Sequence, residues 1–355
     1  MVYKFSDLFK WTSGKPISPS DGQIPIYGSN GIIGYTNQAK FKNKIILGRV
    51  GAYCGSVAYC KDDFNATDNT LITTCNEGNI IYSYAYYLLK SFNLNIFAGG
   101  AAQPLITQSI LKRLKCDIPD VYVQHRIASI LSTYDTLIEN NTKRIRLLEK
   151  MAENLYKEWF VRFRFPGYEN VEMENGLPKG WKIEKLGNLS NISTGKCNRE
   201  DAEEDGAYPL FDRSQETKRS SKWLKDCEAI IVPGEGTTFM PRYYVGKFNL
   251  HQRCYCVEPT KPQIGKFLFY TIMFNRKYFL SVATGATVPS LRYNNFAKMK
   301  IILPSEKLYG KFEQIVSKLF DEKDNLQKQN FLLARQRDLL LPRLMSGKLE
   351  VKVKP

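Results

Sequence analysis

The chain has 355 residues, 43% of them hydrophobic and 24% charged, with 51 Lys and Arg against 35 Asp and Glu, a net charge of +16 and a pI near 9.3. That length gives room for two domains of ordinary size, each with its own core, and the absence of any run of about 18 apolar residues argues against a helical membrane span. The basic surplus points to a polyanionic partner, most simply nucleic acid, while the eight Cys lack a disulfide-like framework.

The opening stretch, MVYKFSDLFK, has no apolar h-region, so no secretory signal is expected. Short β-rich segments follow, broken by Gly and turn residues: LFKWTSGK ending at Lys15, a segment with Gly22 and Pro25, and KIILGRVGAYCGSVAYC from Lys44 to Cys60. SYAYYLLKSF reads as a short helix. A Gly-Ala-x-x-Pro loop begins at Gly100, and a strand leads from it to Pro119.

Next comes a long helix with a heptad seam. One apolar column is Ile127, Tyr134, Asn141, Leu148 and Leu155; the other is Leu131, Ile138, Ile145, Ala152 and Trp159. A seam sustained this far wants a partner helix, and the polar residue Asn141 would fix its register.

The second half repeats the first. LSNISTGK ends at Lys196, and Gly206 and Pro209 match Gly22 and Pro25. AIIVPGEGTTFMPRYYVG gives the β-rich corner, KFLFYTIMFN the short helix, and Gly285 opens a second Gly-Ala-x-x-Pro loop, 185 positions after Gly100. Phe64 to Thr74 lies over Phe248 to Glu258. A second helix carries Phe312, Leu319, Leu326, Leu333 and Leu340; its other column is weaker, since Val316 and Leu344 bracket Lys323, Asn330 and Arg337. A repeat this long is a duplicated domain. Two copies of one unit pair most simply about a pseudo-two-fold axis. The expected fold is therefore α+β: two β-rich α/β domains, pseudo-two-fold related, separated by two long antiparallel coiled-coil helices. The expected boundaries are residues 1–120, 121–162, 163–305, 306–347 and a tail at 348–355.

Catalytic constellations are missing. No G-x-x-x-x-G-K-[ST] occurs, and the tetrad of an amino-methyltransferase is absent. Only His125 and His251 exist, and Cys254 and Cys256 alternate as core residues of a strand rather than as metal ligands. No catalytic residue, metal or cofactor is expected in this chain.

Four stretches carry a family resemblance. QHRIASILSTYDTLIENNTKRIRLLEKMAENLYKEWFVRFRFPG resembles the central conserved helix of type I restriction–modification specificity subunits. ARQRDLLLPRLMSGKLEV resembles their C-terminal conserved region, LPKGWKIEKLGNLSNISTGK the entry to their second target-recognition domain, and TGATVPSL the loop that closes such a domain. The first half lacks a counterpart of Leu177 to Trp181. The resemblance implies a cytoplasmic, non-catalytic subunit that reads a split DNA site, one half-site per domain, with the helices setting the gap. It implies double-stranded DNA, two methyltransferase subunits and restriction (nuclease/translocase) subunits as partners, no membrane, and S-adenosylmethionine, ATP and Mg²⁺ on those partners.

Candidate DNA-contacting residues lie in matching loops of the two halves. They are Lys15, Arg49 and Gln103 in the first, and Lys196, Arg213, Arg242, Arg253 and Arg292 in the second. Phosphate contacts suit Lys and Arg, and base edges suit Arg and Gln. Two other readings fit the residues: a scaffold that binds only proteins, and the recognition subunit of a related system with a fused methyltransferase–nuclease partner.

Overall fold

A computed structural model of the protein describes residues 2–76, 78–100, 103–285 and 287–351. The chain divides into two compact units: residues 1–142 with 327–355, and residues 143–326.

Unit 1 begins with β1 (Val2–Lys4), α1 (Phe5–Leu8), β2 (Phe9–Ser13), β3 (Ile24–Gly28), β4 (Gly31–Thr36), β5 (Phe41–Gly48), β6 (Val57–Ala66) and β7 (Thr70–Cys75). Then come α2 (Tyr82–Ser91), α3 (Gln108–Arg113), β8 (Lys115–Asp117) and the long α4 (Val121–Tyr156). Six strands form one sheet in the order β2-β7-β5-β6-β3-β4, antiparallel except for the β3–β6 pair. The run Ile45-Ile46-Leu47 is apolar without alternation because both faces of the sheet are covered. Ile45 and Leu47 pack with α2 residues Tyr84 and Leu88, whereas Ile46 joins Phe64 and Ile72 on the opposite face.

Unit 2 carries β9 (Met173–Glu174), β10 (Leu177–Pro178), β11 (Lys182–Lys185), α5 (Leu186–Leu189), β12 (Ser190–Thr194), β13 (Tyr208–Phe211), β14 (Lys218–Ser220), β15 (Lys225–Pro233), β16 (Arg242–Leu250) and β17 (Cys254–Pro259). It continues through α6 (Gly265–Phe274), α7 (Arg276–Val282), α8 (Tyr293–Ala297) and β18 (Lys300–Leu303) into the long α9 (Glu306–Met345). The sheet order is β12-β17-β15-β16-β13-β14, again with a single parallel pair, β13–β16. Strand for strand this is the order of unit 1, and β1–β8 recurs as β11–β18. The duplication read in the sequence is thus a duplicated topology. Cys254 and Cys256 are fully buried free thiols on one face of β17, packed with Ala229, Ile231 and Phe248.

Each unit holds a part of both long helices, and in each the helices run antiparallel. In unit 1, Asp135 of α4 meets Arg337 of α9 at 2.5 Å, and Asn141 donates to Gln329 at 3.4 Å. In unit 2, Glu149 lies 3.9 Å from Lys323, while Tyr156 and Trp159 pack on Phe312. The heptad columns are the covered face. Ile127, Leu131, Asn141, Phe312 and Leu326 are buried, and Tyr134, Ile138, Leu148, Leu155, Leu319, Leu333 and Leu340 are half-buried. Leu137, Leu147 and Met151 are exposed on other faces of α4. The polar column of α9 also faces inward. Arg337 pairs with Asp135, Asn330 donates to Thr142, and Lys323 pairs with Glu149. What weakens the hydrophobic pattern is therefore a ladder of interhelical polar pairs.

Candidate nucleic-acid interface

In both units, the loops that carry the candidate residues gather at one end of the six-stranded sheet, and backbone bonds lock them together. In unit 1, Val50 bridges to Leu105, and Gly51 N–H donates to the Pro104 carbonyl. The β5–β6 corner is thus tied to the Gly-Ala-x-x-Pro loop, of which Ala101 and Ala102 lie outside the described residues. In unit 2, Glu235 bridges to Ser290 in the same way; Ala286 of that loop lies outside the described residues.

The repeated Gly-Lys pair has a steric origin. A Cβ on Gly14 would sit 2.1 Å from the Thr67 carbonyl oxygen, and one on Gly195 would sit 2.0 Å from the Leu250 carbonyl oxygen. Only glycine lets the end of β2 or β12 approach the β6–β7 or β16–β17 turn this closely. The next residues, Lys15 and Lys196, donate their backbone N–H groups to Ala66 and Leu250, leaving both side chains exposed.

Unit 1 has a largely neutral junction. The Ser29 hydroxyl donates to the Asn69 carbonyl at 2.6 Å and accepts from the N–H groups of Arg49 and Val50. Arg49 is half-buried, and its Nε is buried with no acceptor among the described residues. Gln103 is exposed on the neighbouring loop.

Unit 2 has a charged junction in the same place. Arg213, after β13, pairs with Glu235 at 2.6 Å, and Arg253, before β17, pairs with the other oxygen of the same carboxylate. Glu235 is the deep member, with 13% of its side chain exposed against 49% for Arg213 and 56% for Arg253. Burial alone would raise its pKa, but the two guanidiniums outweigh burial and hold it below the usual value. Glu235, Gln252, Arg253 and Arg292 line one cleft of about 270 Å³. Gln252 also donates to Asn198 at 2.6 Å, which ties in the loop after Lys196.

Arg242 has a different place from the other candidates. It opens β16, whereas Arg49 follows β5, so the two are not equivalent in the repeat. Its guanidinium lies over the Phe211 ring at 4.8 Å and donates to the Asp212 carbonyl at 2.5 Å. It therefore supports the turn that presents Arg213. Asp212 itself is buried beside Lys218 at 2.7 Å. Burial raises its pKa, but the bonds from Lys218 and Ser214 prevail and hold it at about 2. His251 is buried, and its Nδ1 accepts the Arg253 N–H at 3.1 Å. Burial, then the neighbouring Arg213, lowers its pKa below the ordinary histidine value.

Sequence reasoning missed Glu235, Gln252 and Asp212. A signal for Glu235 existed: the same 185-residue offset that matches the two Gly-Ala-x-x-Pro loops sets Glu235 on Val50, a charge where the other copy is apolar. Among the described residues, no group of His, Cys, Asp and Glu could hold a metal ion, and no helix is long and apolar enough to cross a membrane.

Residues 1–150 and 178–330 match the family model of the type I restriction modification DNA specificity domain. The chain is 27% identical over 353 residues to the type I restriction enzyme MjaIX specificity subunit of Methanocaldococcus jannaschii, covering 88% of this chain and 79% of that protein. It is 30% identical over 177 residues to the EcoDI specificity subunit of Escherichia coli, covering 49% of this chain and 39% of that protein. Its fold is similar to the crystal structure of a type I restriction–modification S subunit from M. genitalium, with a TM-score of 0.65 and 20% identity over 99% of this chain and 96% of that one.

Proposed function

Because the chain belongs to the type I restriction–modification DNA specificity family, we propose that it reads one bipartite, asymmetric DNA site, unit 1 taking one half-site and unit 2 the other. It is a non-catalytic specificity subunit. The observation that carries the reading is the recurrence of one sheet with its loops gathered at the same end, fitted with different chemistry: Ser29, Arg49 and Asn69 in one copy, and Arg213, Glu235 and Arg253 in the other. A shared scaffold with unlike loops suits two readers of unlike sequences. Lys15, Lys196, Gln103 and Arg292 are exposed on those loops and supply further phosphate and base contacts.

In this proposal α4 and α9, of 36 and 40 residues, set the gap between half-sites. At 1.5 Å per residue they are about 54 and 60 Å long. The same helices dock two methyltransferase subunits, which bring S-adenosylmethionine, and restriction subunits add ATP- and Mg²⁺-dependent translocation and cleavage. The complex works in the cytoplasm. Replacing residues 1–120 by the corresponding domain of another family member tests the reading. Sequencing of methylated DNA should show one half-site changed and the other kept, and a change in both would overturn independent reading. Binding to duplex DNA should also weaken steeply with salt, in proportion to the phosphates contacted.

A further inference from the structure

We infer that Glu235 is a positioning residue that aims the guanidinium forks of Arg213 and Arg253 at guanine, so that the half-site taken by unit 2 contains a G·C pair fixed by this cluster. The inference rests on the reading of the chain as a DNA specificity subunit.

Three features lead to it. The first is the sign of the charge. A cleft that merely held phosphate would gain nothing from a carboxylate at its floor, and a phosphate brought close would be repelled. Glu235 lines that cleft with Arg253, Arg292 and Gln252, and its side chain is more covered than those of the two arginines it pairs with, Arg213 and Arg253. The carboxylate makes the cleft a poor phosphate clamp and leaves base edges as the better ligand.

The second is fork geometry. Each arginine gives Nη1 to Glu235. A guanidinium carries five N–H donors in a plane, so a fork fixed at one nitrogen still has donors to present. In the major groove guanine offers two adjacent acceptors, O6 and N7, and a bidentate arginine is their commonest partner. Pinning the fork in advance removes the rotamer entropy that a free arginine loses on binding.

The third is the internal repeat. The positions equivalent to Arg213, Glu235 and Arg253 are Ser29, Val50 and Asn69. Unit 1 builds the same sheet and the same loop junction without any of the three charges. The cluster is therefore dispensable for the fold and belongs to what distinguishes one reader from the other.

The test uses the full-length chain and a library of random-sequence DNA duplexes, sequenced after selection. The wild type should enrich a bipartite motif with a fixed G·C pair in one half. Glu235→Gln should relax preference at that position by about tenfold and leave the other half-site intact. By freeing two arginines for phosphates, it should also raise affinity for non-cognate DNA and steepen its salt dependence. Arg213→Lys keeps the charge and loses the fork, so it should relax the same position without that rise. Since Arg213 is an exposed residue, this variant covers the case in which Glu235→Gln melts early. If the wild type enriches a motif but both variants keep every base preference, or relax an A·T position, the inference is wrong and the broader reading stands. If the wild type enriches nothing, the proposed reading of a bipartite DNA site by the two units fails, and the inference with it.

Discussion

Replacing Arg337 by Ala should destabilise unit 1 well beyond what an ordinary surface ion pair is worth. Arg337 is 15% exposed and pairs with Asp135 at 2.5 Å, and Asp135, at 30% exposure, also accepts the Tyr87 hydroxyl at 2.6 Å. One bond therefore joins α4 to α9, and the other joins α4 to α2. Removing one member of a fully buried pair costs about 3–5 kcal/mol, and an exposed pair contributes about 0–1. With one partner nearly covered and the other a third open, about 2–3 kcal/mol is expected. For a unit of this size that lowers Tm by roughly 5–10 °C. Asp135→Ala should cost a similar amount, because it takes the acceptor from the buried Tyr87 phenol and leaves the Arg337 guanidinium only its helix neighbour Asp338. A double-mutant cycle followed by urea unfolding should give a coupling of about 1.5–2 kcal/mol. Arg144→Ala is the control: its pair with Glu322 has side chains 57% and 44% exposed, so about 0.5 kcal/mol or less is expected. Additive costs for Arg337→Ala and Asp135→Ala, or a loss no larger than that of the control, would refute the reasoning.

Asn141→Leu should raise stability by about 1 kcal/mol, since a buried polar residue in a helix seam costs stability. It should also loosen the pairing with Gln329, which size-exclusion chromatography would report as new oligomers if register slips. Gly195→Ala should lower the melting temperature of unit 2 by several degrees, because its Cβ would sit 2.0 Å from the Leu250 carbonyl oxygen; an unchanged melt would show that the turn can move away. Unit 2 should lose stability as pH falls below the ordinary histidine value of 6.5, because the folded-state pKa of His251 is depressed. In that range the unfolded chain takes up the proton more readily than the folded one, and His251→Gln should flatten the pH dependence of the urea midpoint between pH 7 and 5.

The repeat was legible because matching topology imposes matching constraints at fixed places. Gly14 and Gly195 must be glycine, and Gly22 and Gly206 meet backbone atoms of Thr36 and Ser220 in the same way. The helix seam was legible because the heptad period is set by helix geometry alone. The inward role of Arg337, Asn330 and Lys323 was not, since a polar residue in an apolar column reads as a weak seam until its partner is known. Of the candidate contacts, the sequence located the loops but not the bonds within them. Arg213 and Arg253 are 40 positions apart and meet through Glu235, whereas Arg242, chosen on equal grounds, is spent on Phe211 and Asp212. Such pairings depend on which loop ends the parallel β13–β16 step brings together, and no local pattern encodes that.

The division of the two helices has a consequence for how the protein is made. Unit 2, residues 143–326, is a single uninterrupted stretch, while unit 1 is split, its last part being residues 327–355. On the ribosome the first 142 residues emerge early but lack the segment with Leu341 and Leu344, which pack into the same core as Ile127 and Leu131. At about 5–20 residues per second, the intervening unit takes roughly 10–40 s to synthesise. Throughout that interval the nascent first half carries an open apolar seam. The order of completion is therefore inside-out: the later-encoded reader can close first, and the earlier-encoded one must wait for the segment with Leu341 and Leu344. A nonsense or frameshift change near codon 330 would leave unit 2 able to close and would disable the half whose β-sheet is already fully translated.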